Sequence, residues 1–170
     1  METKSKSMLL GIALCAATLS AQTATVNLKN AQGASVGSAA LSLDTSGGVK
    51  IQLDLTGLSP GEHAIHVHRD AKCDAPDFKS AGPHFNPENK KHGLKNPDGP
   101  HAGDMENFAV AADGTSHATV VAPGVTLEDG PHSVFTSGGT ALVIHAKADD
   151  MKTDPAGAAG DRIACGVITK

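Results

Sequence analysis

The chain has 170 residues and a formal charge of −4, a length that suits one domain with a substantial core once any leader is set aside. It contains no Trp or Tyr, four Phe and 19 Gly. The core must therefore come from Val, Ile, Leu and Ala, so much glycine fits a loop-rich β protein better than a helical one, and the acidic balance gives no reason to expect a nucleic-acid partner.

At the N-terminus, Lys4 and Lys6 precede an apolar run over residues 8–19, too short to span a membrane comfortably. Ser20 and Ala21 supply small residues for cleavage before Gln22. Residues 1–21 thus read as a secretory signal peptide, and residues 22–170 as the mature domain with no transmembrane segment; an uncleaved anchor is the competing reading. Cleavage removes two lysines and one glutamate, leaving the chain one charge more acidic. Cys15 lies inside the apolar run behind Leu14 and reads as part of the leader, with lipid attachment as the alternative. Of the two remaining cysteines, Cys73 and Cys165, an exported chain most simply makes one disulfide; two buried thiols are the alternative.

Residues 24–28 alternate apolar and polar, residues 35–43 are mostly small and apolar, and Val49-Lys50-Ile51-Gln52-Leu53-Asp54-Leu55 alternates strictly, as a strand with one buried face does. Turn signals at residues 30–33 and 45–48 and at Ser59-Pro60-Gly61 separate these runs. Residues 63–68 read as a further strand, in which His66 and His68 share one face while Val67 turns to the other.

From residue 69 to about 107 the periodicity stops, and the stretch holds five of the nine prolines. A structureless loop this long is uncommon in a compact domain unless it has a task. It carries His84 in a turn stiffened by Pro83 and Pro87, then His92, His101 and Asp104. Three imidazoles and a carboxylate from one loop are enough to close a tetrahedral zinc site. Strands resume at residues 108–110, 117–121 and 141–145, the last ending on His145, and a second glycine-rich loop over residues 148–160 leads to a closing strand at 162–168. This is an all-β antiparallel sandwich or barrel with two long loops. Its dense set of nitrogen ligands suits copper and zinc better than magnesium or calcium.

Six segments together resemble successive signatures of the copper/zinc superoxide dismutases, bacterial exported type. They are Gly61-Glu62-His63-Ala64-Ile65-His66-Val67-His68, Ser80-Ala81-Gly82-Pro83-His84-Phe85-Asn86-Pro87, Lys91-His92-Gly93, His101-Ala102-Gly103-Asp104, His145-Ala146-Lys147-Ala148-Asp149-Asp150 and Gly160-Asp161-Arg162-Ile163-Ala164-Cys165-Gly166-Val167. The resemblance implies a Greek-key sandwich or barrel with a long metal-binding loop and a shorter active-site loop. It implies one copper per subunit on His66, His68, His84 and His145, and one zinc on His84, His92, His101 and Asp104, with His84 bridging the two as an imidazolate. It further implies Asp149 joining His66 and His92 from behind, Arg162 attracting superoxide, a Cys73–Cys165 bond tying the ligand-bearing loop to the closing strand, and His63 as a structural histidine on a backbone partner. His117, His132 and Asp150 are expected at the surface. The same resemblance implies dismutation of superoxide outside the cytoplasm, periplasmic before secreted or tethered, with a homodimer as one assembly. A non-catalytic copper or zinc carrier on the same fold is the alternative; carriers favour thiolates for Cu(I). The short Asp150-to-Arg162 connection leaves few charges to steer an anion, only Lys152, Asp154 and Asp161.

Overall fold

The computed structural model describes residues 22–170; the expected leader and Cys15 lie outside the described residues. Nine strands carry the fold: β1 Thr23–Asn30, β2 Ser35–Leu43, β3 Val49–Leu55, β4 Gly61–His63, β5 Ile65–His68, β6 Phe108–Val110, β7 Thr119–Ala122, β8 Thr140–His145 and β9 Arg162–Ile168. Seven form one sheet in the order β5-β8-β9-β1-β2-β3-β7, and β4 pairs with β6. Every strand pairing is antiparallel, and the sheet curls into a nearly closed barrel.

The strict alternation in β3 places Val49, Ile51, Leu53 and Leu55 in the core, where they meet Val36, Ala39 and Leu41 of β2. Strand β8 departs from alternation: all six of its residues are buried. Leu142 and Ile144 face the barrel interior, whereas Ala141 and Val143 pack with Phe78, Ala81 and Cys165 in a second cluster outside it. The cover over that outer face is residues 69–83, held by the Cys73–Cys165 disulfide across a sequence separation of 92. A strand buried on both faces reads as an apolar run, as 141–144 do.

Two expected boundaries shift. Residues 63–68 are not one strand: the ladder breaks at Ala64, where β4 ends its pairing with β6 and β5 begins pairing with β8. Ala64 N–H donates to the Lys147 carbonyl, and His145 N–H donates to the Ala64 carbonyl, so the break is a crossing point between sheet edges. The strand expected at 117–121 starts later, at Thr119, because Ser116 pairs with Leu55 as an isolated bridge and His117 turns outward beside Asp54.

Candidate metal centre

Strand β5 supplies two donors by alternation alone. Ile65 and Val67 enter the core, while His66 and His68 point to the opposite face, fully buried under the loops. His66 pairs in register with Val143 and His68 with Ala141. Alternation along β8, with Leu142 and Ile144 inward and Val143 outward, puts His145 at its end onto that same outer face, where the pairing with β9 shifts to Arg162. His84 reaches it through a bridge to His68. The long loop docks on β5 by backbone bonds: Phe85 N–H to the Val67 carbonyl, and Val67 N–H to the Gly103 carbonyl. A side chain at Gly103 would put a Cβ 2.2 Å from the Val67 oxygen, so this approach requires glycine.

Two groups of donor atoms result. In the first, the donor atoms of His66, His68, His84 and His145 all lie within 4.8 Å of one another. Each ring spends one nitrogen on the protein. His66 Nε2 is 2.9 Å from Asp149 Oδ2, His68 Nδ1 2.9 Å from the Gly82 carbonyl, His84 Nδ1 2.9 Å from Asp104 Oδ1, and His145 Nδ1 3.3 Å from the Gly160 carbonyl. The other four nitrogens, His66 Nδ1, His68 Nε2, His84 Nε2 and His145 Nε2, are buried with no hydrogen-bond partner. Buried polar atoms almost always have partners. Four orphans converging on one point fit a cation with nitrogen ligands, and the set fits copper.

The second group surrounds Asp104 Oδ1, which lies 2.9 Å from His84 Nδ1, 3.1 Å from His92 Nδ1 and 3.3 Å from His101 Nδ1; His84 and His101 Nδ1 are 3.4 Å apart. Ligands about 2.0–2.1 Å from a tetrahedral zinc stand about 3.3 Å from each other, which these separations match. His66 also comes within 4.8 Å of His84, His92 and Asp104. Its two nitrogens are committed to the first group and to Asp149, which leaves His101 as the fourth donor. His84 belongs to both groups, through opposite ends of one ring.

Electrostatics keep the four rings of the first group as neutral bases. Burial holds His84 down to about 3 and His145 to about 3, in each case reinforced by His66 nearby, and it also lowers His66 and His68. For His92 burial acts against the charged form, but hydrogen bonds to Asp104 and Asp149 outweigh it and lift the ring to about 9. Burial alone would raise the two carboxyls; instead hydrogen bonds from surrounding histidines hold Asp104 and Asp149 well below the usual range. Asp149 touches both groups, with one oxygen 2.9 Å from His66 Nε2 and its carboxylate 3.0 Å from His92 Nε2. Gly157 presses against that carboxylate with no room for a Cβ.

Arg162 opens β9 half-buried, donating from Nη1 to the Phe78 carbonyl at 2.7 Å and from Nη2 to the Gly82 carbonyl at 2.8 Å. Burial lowers its guanidinium, though from a value so high that the charge persists at neutral pH. A cleft of about 910 Å³ is lined by His68, His84, His101 and His145 beside Arg162, with Lys90, Lys91 and Asp154 also along it.

His63 is a structural residue, with Nδ1 2.7 Å from the His145 carbonyl and Nε2 2.8 Å from the Ser59 carbonyl. His117 and Asp150 are exposed. His132 differs from expectation: it is half-buried, with Nδ1 2.7 Å from the Gly124 carbonyl and Nε2 3.3 Å from Glu88, because the 123–139 connection folds back on the long loop. Two residues that local pattern does not reveal also belong to the centre. Asp154 accepts the His92 backbone N–H at 2.9 Å, and Asn107 brackets the backbone of Asp149. Their partners lie 62 and 42 residues away in the chain, beyond the reach of any motif.

Residues 35–168 match the model of the family described as copper/zinc superoxide dismutase (SODC). The chain belongs to that family. It is 53% identical over 144 residues to superoxide dismutase [Cu-Zn] 1 of Aquifex aeolicus, covering 84% of this chain and 85% of the relative. Against superoxide dismutase [Cu-Zn] of Caulobacter vibrioides it is 46% identical over 124 residues, 71% of each chain. The Cu/Zn superoxide dismutase structure from Brucella abortus superposes with a TM-score of 0.72 at 31% identity, covering 86% of this chain and 99% of that one. The crystal structure of a SOD-like protein from Bacillus subtilis gives a TM-score of 0.81 at 38% identity, over 85% and 97%. The family resemblance and the barrel expected from the sequence therefore hold, as does the pairing of Cys73 with Cys165.

Proposed function

We propose that His66, His68, His84 and His145 hold copper, that His84, His92, His101 and Asp104 hold zinc, and that this paired centre converts two superoxide anions and two protons into O2 and H2O2. The carrying observation is the divided ring of His84: Nε2 stands among the partnerless nitrogens, while Nδ1 lies 2.9 Å from Asp104. When bound, copper supplies one-electron exchange between its two oxidation states, and zinc, which has no redox chemistry, supplies fixed charge and order.

The remaining work falls to side chains. Arg162, fixed by two carbonyls at the cleft wall, draws the anion toward His68, His84 and His145 in an otherwise acidic protein. With both metals bound, His84 would be the residue to hold a proton at Nε2, the nitrogen with no protein partner, and to give it up to the departing peroxide. Asp149 fixes the ring planes of His66 and His92 from behind, so that their free nitrogens keep their direction. A Cu(I) carrier would want thiolates, and both described cysteines are joined in a disulfide.

The test is superoxide decay followed by pulse radiolysis with protein reconstituted with copper and zinc. Rapid, copper-dependent decay is expected; decay no faster than the buffer overturns the reading.

The same reading includes export, with residues 1–21 removed and the domain at 22–170 acting in the periplasm. The disulfide supports an oxidising compartment. Among the described residues no helix is long and apolar enough to cross a membrane. Expressed from its full sequence in a Gram-negative host, the chain should be recovered from the periplasm with Gln22 at its N-terminus. An intact leader on cytoplasmic protein would contradict this.

A further inference from the structure

Asp149 is the carboxylate that touches a ring of each donor group, and one side chain holds its backbone. Asn107 Oδ1 accepts the Asp149 N–H at 2.8 Å, and Asn107 Nδ2 donates to the Asp149 carbonyl at 2.9 Å. Among the described residues, no backbone group takes either of those partners' places. A carboxamide offers a donor and an acceptor side by side, so it can pair with a peptide unit as a neighbouring strand would. Ala makes neither bond and an ionised Asp has no donor, while a Ser hydroxyl, though it can donate and accept, places both functions on one atom of shorter reach.

Asn107 stands three residues beyond Asp104 and directly before β6. Strand β6 is joined to the barrel wall through the pairing of Phe108 with His63. A continuous set of contacts therefore runs from β4 and β6 through Asn107 to the Asp149 backbone, and from the Asp149 carboxylate to His66 and His92. On its other sides that carboxylate is confined by the Met151 N–H at 2.6 Å and by Gly157. Met151 and Gly157 belong to the same loop as Asp149, whereas Asn107 ties the Asp149 backbone to the residue that precedes β6.

We infer that Asn107 is a positioning residue for both metals, acting through Asp149 by fixing the backbone from which that carboxylate reaches His66 and His92. The inference rests on the assignment of His66 to copper and His92 to zinc. Outer partners of metal-ligating histidines set ring direction and ligand basicity, and their removal costs about 10–100-fold in metal affinity. Asn107 lies one contact further out, and its loss releases the partner itself.

The experiment measures zinc affinity of the copper- and zinc-loaded protein by chelator competition, together with its Cu(II) EPR spectrum. Asn107→Ala is expected to weaken zinc binding about 10-fold or more and to shift the copper spectrum as the His66 ring turns. Asn107→Ser, whose single hydroxyl has a shorter reach than the carboxamide, should fall between it and the parent protein. In an Asp149→Ala background, Asn107→Ala should change neither readout further, since residues acting as one unit are not additive. A clamp with a merely structural role would lower thermal stability while leaving zinc affinity and the copper spectrum unmoved, or would add its full effect in the Asp149→Ala background. Either result overturns the inference. If Asp149→Ala itself leaves both readouts unmoved, the carboxylate does not position the rings and the inference falls, whereas the ligand assignment fails only if the four histidines of the first group do not retain copper. Should Asn107→Ala not fold, Asn107→Ser carries the same comparison.

Discussion

His84 and Arg162 line the same cleft, yet their losses should differ in kind. His84→Ala removes the ring common to both donor groups, so metal analysis of the reconstituted variant should find copper and zinc both depleted. Arg162→Ala removes no donor nitrogen. It should bind the full complement of both metals and lose about 10-fold or more in kcat/KM, with a weaker dependence on ionic strength, as expected when a steering charge is deleted. Loss of copper in that variant would refute its role. The rings also fix how the metal-free protein answers to pH. His84 and His145 sit at about 3 in the folded state, against about 6.5 in an unfolded chain. Between those values the unfolded chain binds protons that the folded one does not, so stability falls as pH drops below about 6.5. His92, raised to about 9, has the opposite sign: its contribution is complete below about 6.5 and is lost as pH rises through 9. Urea titrations of the metal-free protein should therefore give the highest midpoint near pH 6.5, and a midpoint still rising at pH 5 would contradict this. At this scale the sequence was informative because donor residues declare themselves by type: His66-Val67-His68 and the spaced histidines of the long loop needed no structure to be singled out. Asn107 and Asp154 were invisible because their task is to bond backbone groups far along the chain, and an Asn or Asp in a loop looks the same whether or not it does so.

Among the elements, the strands were legible wherever one face is buried. Residues 35–43, 49–55, 108–110 and 162–168 fall where alternation and turn residues put them. The break at Ala64 was not legible, since a strand that changes partners keeps its alternation, and only the identity of the neighbouring strand reveals the change. The long loop is the element whose order depends least on apolar burial. Of its residues 86–104, only the donors His92, His101 and Asp104, with Gly93 and Gly103, are buried. Its remaining ties to the 147–161 loop are polar, notably Lys95 N–H to the Met151 carbonyl, Asn96 Nδ2 to the Lys152 carbonyl and the His92 N–H to Asp154. Stripping zinc should therefore speed proteolysis within residues 86–104 well before the strands are cut, because metal binding supplies folding energy where the core does not. Mass spectrometry of the fragments before and after chelation measures this directly. Unchanged cleavage there would mean the polar ties suffice.

For the molecule as a whole, the disulfide is the largest single constraint outside the core. It closes a loop of 92 residues between the cover over β8 and strand β9. In the chain-entropy account, opening a loop of that size costs about 4–5 kcal/mol, a large part of a small domain's net stability. Urea unfolding of the metal-loaded protein with and without a strong reductant should show a loss of that order, and a loss below about 1 kcal/mol would place the stabilisation elsewhere. One further consequence belongs to a single oxygen, the Gly82 carbonyl, which receives both the His68 ring and the Arg162 guanidinium. The ring assigned to copper and the cation assigned to the incoming anion are thereby hung on the same peg. Their spacing acts as a ruler cut once for the whole active site, so no change that tilts this peptide can retune attraction without also retuning the redox ion's seat.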